Sequence, residues 1–261
     1  MPKPSAVKLE LIDSHCHLDD PRLDADRPAL MERAAAAGIT GFVLPSVTAE
    51  SWPRVKDLAE RYPQIHAAYG LHPMFLPHHR PSHLTQLGDW LTQEGAVAVG
   101  ECGLDFYLPG LDPDTQGQYF TAQLSLAREL DLPVVVHARR SVDQVTHAIR
   151  QFPGLRGEIH SFSGSEQQAR QLIGLGFRLG FGGPLTYPRA QRLRRLAATL
   201  PLEALLIETD APDQPDADHR GQLNEPAYLP AVLNTLAKLR GQSVADVAAA
   251  VNHNVRELYR I

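Results

Sequence analysis

Cysteine is nearly absent from this 261-residue chain: Cys16 and Cys102 are its only thiols. Two cysteines cannot make a disulfide framework, which sets aside the small, disulfide-stapled secreted class. No window approaches ~18 uninterrupted apolar residues, so no membrane span is expected. The segment from Met1 to Glu10 has Lys3 and Lys8 but no apolar stretch of signal-peptide length, and the expectation is a protein of the reducing cytoplasm. A basic excess is also missing. Lys plus Arg is 25 against 30 Asp plus Glu, a formal charge of −5, which excludes a wide basic footprint around duplex nucleic acid. Any nucleic-acid contact should be small and local. There is no Ser/Gly-rich linker and no repeat of 20 to 50 residues, and the economical reading is one domain over residues 1–261.

What the chain has is apolar material, 43% of its residues, and an excess of histidine, 12 in all. Short apolar runs alternate with longer segments of helical spacing. The runs are Val7–Ile12, Gly41–Leu44, Ile65–Tyr69, Ala96–Val99, Val134–Val136, Gly157–Ile159, Phe177–Phe181 and Ala204–Ile207. The helical segments between them include two with serine caps expected, at Ser141 and Ser165. Eight strand–helix alternations in about 250 residues, with strands apolar on both faces, predict an α/β fold: a closed (β/α)8 TIM barrel. An open doubly wound sheet is the competing architecture.

The histidines explain themselves by position. His15 and His17 end the first predicted strand, His72 the third, Glu101 the fourth, His137 the fifth, His160 the sixth and Asp210 the eighth. In such a barrel these ends share one face, the catalytic one. Period-two alternation groups Asp13, His15 and His17 on one side and turns Cys16 and Cys102 outward, away from chemistry. A lone strand histidine is commonly a hydrogen-bonded core residue, but His15, His17, His137 and His160 converging with Glu101 and Asp210 call for metal. Six ligands are too many for one ion with an open position. Two divalent cations, Zn, Mn or Mg, use the set: His15, His17 and Asp210 on one, His137 and His160 on the other, Glu101 between.

Five segments carry a family likeness: Asp13-Ser14-His15-Cys16-His17, Gly70-Leu71-His72-Pro73, Gly100-Glu101-Cys102-Gly103-Leu104-Asp105, His160-Ser161-Phe162-Ser163-Gly164-Ser165 and Glu208-Thr209-Asp210-Ala211-Pro212. With Gly182–Arg189 and the ending Asn252–Tyr259, the chain resembles, end to end, the TatD-type metal-dependent hydrolases of the amidohydrolase-like superfamily. The resemblance implies a TIM barrel, a two-metal centre on the six residues named, and deoxyribonuclease or general phosphoesterase activity, with DNA ends or another phosphoester as substrate. Gln222-Leu223-Asn224-Glu225-Pro226 departs from the family pattern by replacing a frequent basic residue at the rim. Asp210 is expected to receive or orient the proton of the attacking hydroxide's water, with Glu208 either supporting it from deeper in the barrel or standing as a buried polar residue paired with a helix-side group. His72 is expected to contact substrate phosphate without binding metal, and Arg139, on His137's face, to be the better placed of two arginines for phosphate. Asp105 is expected either to fix its loop or to orient an imidazole ligand. His78, His79 and His83 read as an exposed rim loop, and Arg189, Arg192, Arg194 and Arg195 as a solvated helical face. The competing functions are an amide- or ester-cleaving hydrolase on the same scaffold and a non-catalytic metal-binding protein. The first is disfavoured because relatives of that kind often bridge their metals with a carboxylated lysine where this chain offers Glu101.

Overall fold

The structure is a computed structural model that describes residues 10–261. The start of the first expected strand and most of the Met1–Glu10 segment lie outside the described residues. Eight parallel strands run in chain order around one sheet: β1 (Leu11–Asp13), β2 (Ile39–Pro45), β3 (Ile65–Tyr69), β4 (Ala98–Asp105), β5 (Val134–Arg139), β6 (Gly157–Ile159), β7 (Phe177–Phe181) and β8 (Leu205–Ile207). Helices α1 (Arg27–Ala36), α2 (Trp52–Arg61), α3 (Pro81–Glu94), α4 (Pro113–Glu129), α5 (Val142–Ile149), α6 (Glu166–Gly174), α7 (Gln191–Thr199) and α8 (Leu229–Arg240) follow the strands in turn, and α9 (Val244–Tyr259) ends the chain. This is the TIM barrel expected. No described helix is long and apolar enough to cross a membrane.

The barrel closes between its first and last strands through the segments just beyond them. Ser14 N–H donates to Ile207 O (3.2 Å), Asp210 N–H to His15 O (2.9 Å) and His17 N–H to Ala211 O (2.7 Å). Two apolar clusters divide the core. The larger fills the layer between strands and helices and takes in both cysteines. The smaller lines the bore with Ile12, Val43, Ala68, Ala98, Val135 and Leu206, and Val255, Leu258 and Tyr259 of α9 pack into it. α9 holds the start of the seam through its polar side. Asn252 Oδ1 accepts Ile12 N–H (3.0 Å) while its Nδ2 donates to Glu10 O (2.6 Å), and Asn254 Nδ2 donates to Leu202 O and Leu205 O (2.8 Å each).

Several strands run farther than their apolar runs predict, β4 and β5 most of all at their C-terminal ends. β4 continues through Glu101 to Asp105, with its register against β5 shifting between Val99 and Cys102, and β5 continues through His137 to Arg139. Polar residues pair here because backbone hydrogen bonding, not side-chain hydrophobicity, carries the ladder. Gly103 is obligatory at this point. Its φ is +132°, and a Cβ there would meet His137 O at 2.1 Å, so only glycine brings β4 and β5 this close. Ser165 caps α6 as expected, accepting Gln168 N–H (3.2 Å). Ser141 does not cap α5: its hydroxyl donates to Leu104 O (2.7 Å), tying the end of β5 to β4.

The seam provides a stability test. Asn252→Ala leaves the buried Ile12 N–H without an acceptor, and the expected loss is about 2 kcal/mol, in the range for an orphaned buried donor. Urea unfolding should show Asn252→Asp, which keeps that acceptor, as intermediate. Equal stability of the alanine variant and the parent would remove α9 from the closure.

Candidate metal centre

The C-terminal ends of six strands, β1, β3, β4, β5, β6 and β8, bring one or two donors each to the barrel mouth, and Glu101 stands at their middle. Its Oε2 lies 3.4 Å from both His15 Nε2 and His17 Nε2, and its Oε1 lies 2.9 Å from His160 Nε2, 3.0 Å from His72 Nε2 and 3.3 Å from His137 Nδ1. Asp210 Oδ1 lies 3.5 and 3.6 Å from His15 and His17 Nε2. The residues marked out by the sequence therefore come together at one centre, with Glu101 almost wholly buried at 1% exposure.

Local structure aims each donor. β1 ends at Asp13, and the chain bends before His15, so alternation does not group Asp13 with the histidines. Asp13 turns instead to the seam, accepting Thr209 N–H (2.9 Å) and the Thr209 hydroxyl. His15 stacks on His160, with ring centroids 4.0 Å apart, and Cys16 lies buried in the outer core as expected. His137 has its Nε2 2.9 Å from Asp105 Oδ2, which leaves Nδ1 facing Glu101; Asp105 Oδ1 is itself fixed by Tyr107 and Leu108 N–H. This is the orienting role expected of Asp105. Met74 N–H donates to His72 Nδ1 (3.1 Å), so the proton of a neutral His72 sits on Nε2 and points at Glu101. Such a ring donates a hydrogen bond and does not ligate through that nitrogen. Asp210 adopts φ +56°, and the amide of Gln214 donates to its Oδ2, a partner the sequence did not indicate.

Charges in the metal-free cluster follow from these contacts. Burial alone would raise the Glu101 carboxyl, but the surrounding imidazoles hold it well below the usual carboxylate range. Burial lowers His15 and His72 to about 4, so both are neutral. For His17 and His137 burial also opposes charge, yet it is outweighed. The bond to Glu101 and the nearby carboxylates raise His17 to about 10, and the bonds to Asp105 and Glu101 raise His137 to about 9.

The donor set fits a divalent cation. His15 Nε2 and His17 Nε2 are 3.2 Å apart, and His137 Nδ1 and His160 Nε2 are 3.3 Å apart. Two nitrogens on one tetrahedral Zn, each at 2.0–2.1 Å, would be separated by about 3.3 Å. Without a cation such pairs set lone pair against lone pair or share protons. Three overlapping groups bring donors close enough for an ion: His15, Glu101 and His160; His15, His17 and Asp210; and His72, Glu101 and His137, the last of which loses His72 to its hydrogen bonds with Met74 and Glu101.

A cavity of about 1100 Å³ opens above the cluster, lined by His17, His72, Glu101, His137, His160 and Asp210. Arg139 lines it, as expected, and so do Arg22, in the turn after β1, and Arg54, in the first turn of α2, which sequence reasoning missed because neither follows a strand end directly. Below the cluster, Glu208 does not reach back to Asp210. Its Oε1 accepts Ser161 N–H (2.6 Å), and burial and the neighbouring Glu158 hold it well above the carboxylate range. Glu158 in turn accepts from Ser14 (2.8 Å) and Tyr259 (2.6 Å). The rim loop is less open than expected. His78 is exposed, but His79 Nε2 lies 2.8 Å from His72 O and His83 is buried. Of the α7 arginines, Arg192 and Arg194 bind the carbonyls of Ser163 and Leu185.

Comparison with known proteins agrees with this picture. Residues 12–260 match the family described as TatD related DNase. The chain is 42% identical over 255 residues to the uncharacterized metal-dependent hydrolase YjjV of Escherichia coli K12, covering 96% of this chain and 98% of that one. The crystal structure of YjjV from the same organism superposes with a TM-score of 0.94 at 39% identity, over 98% of this chain and all of that one. A protein of Escherichia fergusonii named 3′-5′ ssDNA/RNA exonuclease TatD is 32% identical over 260 residues, covering 96% and 99% of the two chains. With its barrel, its histidine–carboxylate cluster and its full-length likeness, the chain belongs to the TatD family of metal-dependent hydrolases.

Proposed function

We propose that residues 1–261 form a single cytoplasmic catalytic domain, a deoxyribonuclease acting on DNA ends with two divalent cations, Zn, Mn or Mg. The observation that carries this reading is the division of Glu101 between two donor groups. Its Oε2 faces His15 and His17, beside Asp210, while its Oε1 faces His137 and His160. In this assignment His15, His17 and Asp210 hold one cation, His137 and His160 the other, and Glu101 both. Such cations supply Lewis acidity toward a phosphoryl oxygen and acidify water. The fergusonii relative's name supports a polynucleotide substrate.

The chain's own residues then divide the work. Gln214 donates to Asp210 Oδ2 and so turns Oδ1 toward His15 and His17, where this carboxylate would both hold its cation and accept the proton of the attacking water. His72 donates its Nε2 proton toward the anionic centre, and Arg139 offers guanidinium donors to phosphate oxygens. Asp105 keeps His137 from turning. The buried Cys16 and Cys102 are both free thiols, which fits a reducing compartment.

Two tests follow. With metal-loaded protein and a 3′-labelled single-stranded oligonucleotide, Asp210→Asn should lower kcat at least 100-fold, the scale of losing a proton acceptor, with its circular dichroism unchanged. Chelation should abolish cleavage in the parent. Full turnover by Asp210→Asn would remove the proton role, and hydrolysis of amides or phosphomonoesters in place of oligonucleotides would overturn the nuclease reading. The second test concerns protons. His17 and His137, raised to about 10 and 9, carry protons at pH 7 that a cation must displace. Calorimetric titration with Zn²⁺ in buffers of different ionisation enthalpy should therefore report about two protons released at pH 7, and affinity should rise with pH until about 9–10. Metal binding without proton release would contradict the assignment of these two rings.

A further inference from the structure

Among the described residues the large apolar side chains left exposed are Met74, Phe75, Tyr107 and Leu223. Three of the four sit after β3 and β4, beside the cavity. Met74 and Phe75 line it directly, and Tyr107 carries Arg139, which also lines it. Exposed apolar side chains gathered at a polar mouth mark a place where a ligand's apolar part rests.

The geometry points to a nucleobase-stacking subsite, with Phe75, flanked by Met74, as the platform for the terminal unpaired base of the nucleotide whose phosphate Arg139 holds. This rests on the nuclease reading above. Phe75 stands edge-on to His72, with centroids 5.9 Å apart and the rings at 72°, one side chain away from Glu101. The segment that carries it is preorganised. Phe75 N–H donates to His72 O (3.1 Å), Met74 N–H to His72 Nδ1, and His79 Nε2 lies 2.8 Å from His72 O. Among the aromatic rings of the described residues Phe75 pairs with His72 and His78, both T-shaped and neither stacked, and its side chain is 36% exposed, open to a further aromatic.

Charge at the mouth supports the same occupant. Arg22 pairs with Asp20 and Asp213, and Arg54 with Asp24. Arg139 and Arg140 have no carboxylate partner among the described residues. Arg139 lies 3.7 Å over the Tyr107 ring and Arg140 4.7 Å, an arrangement that holds the planar group by its face and leaves its N–H edge for phosphate. An aromatic platform and an uncommitted guanidinium around one cavity match one nucleotide with its base unstacked from its neighbours. A paired end cannot present its base this way.

The test pairs Phe75 with the base it would touch. kcat/KM is measured for a single-stranded oligonucleotide and for the same strand with an abasic 3′-terminal nucleotide, using metal-loaded parent, Phe75→Ala and Phe75→Trp. Phe75→Ala should lower kcat/KM about 5- to 150-fold on the intact strand, the range of one base–aromatic stack, and less than about two-fold on the abasic one. Phe75→Trp should retain the parent's preference. In binding, an oligonucleotide ending in 2-aminopurine should be quenched by the Asp210→Asn protein and not by the Asp210→Asn, Phe75→Ala double variant. Equal losses on the two strands, or none, would overturn the subsite while leaving the nuclease reading intact. Failure of the parent to cleave either strand would overturn both.

Discussion

A single buried carboxylate surrounded by imidazoles organises this protein. Glu101 lies within 3.4 Å of nitrogens from five histidines. Those histidines come from the ends of four other strands, β1, β3, β5 and β6, so the contact is possible only if the sheet has curled into a barrel. Burying that carboxylate without partners would be prohibitive, and two rings in contact with it, His17 and His137, carry the charge that compensates in the metal-free protein. Gly103 belongs to the same requirement, since it lets the extended part of β4 pass within contact of His137 and so holds Glu101 opposite the β5 ring.

Beneath this centre the bore is not simply apolar. Glu158 and Glu208 are buried in it, and Gly180 makes room for them: a Cβ there would lie 2.2 Å from Glu208 Oε2 and 2.7 Å from Glu158 Oε1. Two carboxyls this deep cannot both ionise, so a proton between them removes one charge. Ser14 and Tyr259 satisfy Glu158, and Ser161 N–H satisfies one oxygen of Glu208. The pair thereby joins β1, β6, β8 and α9 directly under the segment that carries His160. Its work is to hold the floor of the site, and it lies one layer below the chemistry.

The barrel was legible in the sequence because a parallel strand buried on both faces is written as an uninterrupted apolar run, and His15, His17, Glu101, His137, His160 and Asp210 followed those runs. What was not legible depended on local geometry or on contacts distant in sequence. The polar half of β4 is paired through its backbone, so no side-chain pattern announces it. Asp13 leaves the face of His15 because the chain bends where the strand ends, and alternation has no meaning past that bend. Ser141 precedes a helix as a cap would, yet the nearby Leu104 carbonyl competes successfully for its hydroxyl. His79 and His83 sit in a polar, proline-rich stretch that reads as open loop, but His79 folds back on the His72 carbonyl and His83 is buried in the first turn of α3. Gln214, Arg22 and Arg54 carried no pattern at all; only the closed barrel brings them to the mouth.

The formal charge of −5 describes the surface and not the mouth. Carboxylates neutralise guanidinium groups on the β1 and β2 side of the cavity, through Asp20, Asp24 and Asp213. That neutralisation stops at β5, where Arg139 and Arg140 face Tyr107 and no acid. An anion entering the cavity therefore meets uncompensated positive charge on one side only, next to the apolar shelf of Met74 and Phe75. Such asymmetry orients a ligand as well as attracting it, because a phosphate and an aromatic group on one molecule have separate, adjacent places to go. On the proposed function, a broad basic face would attract nucleic acid of any form, whereas Arg139 in the same cavity as the Phe75 side chain would favour a short unpaired segment.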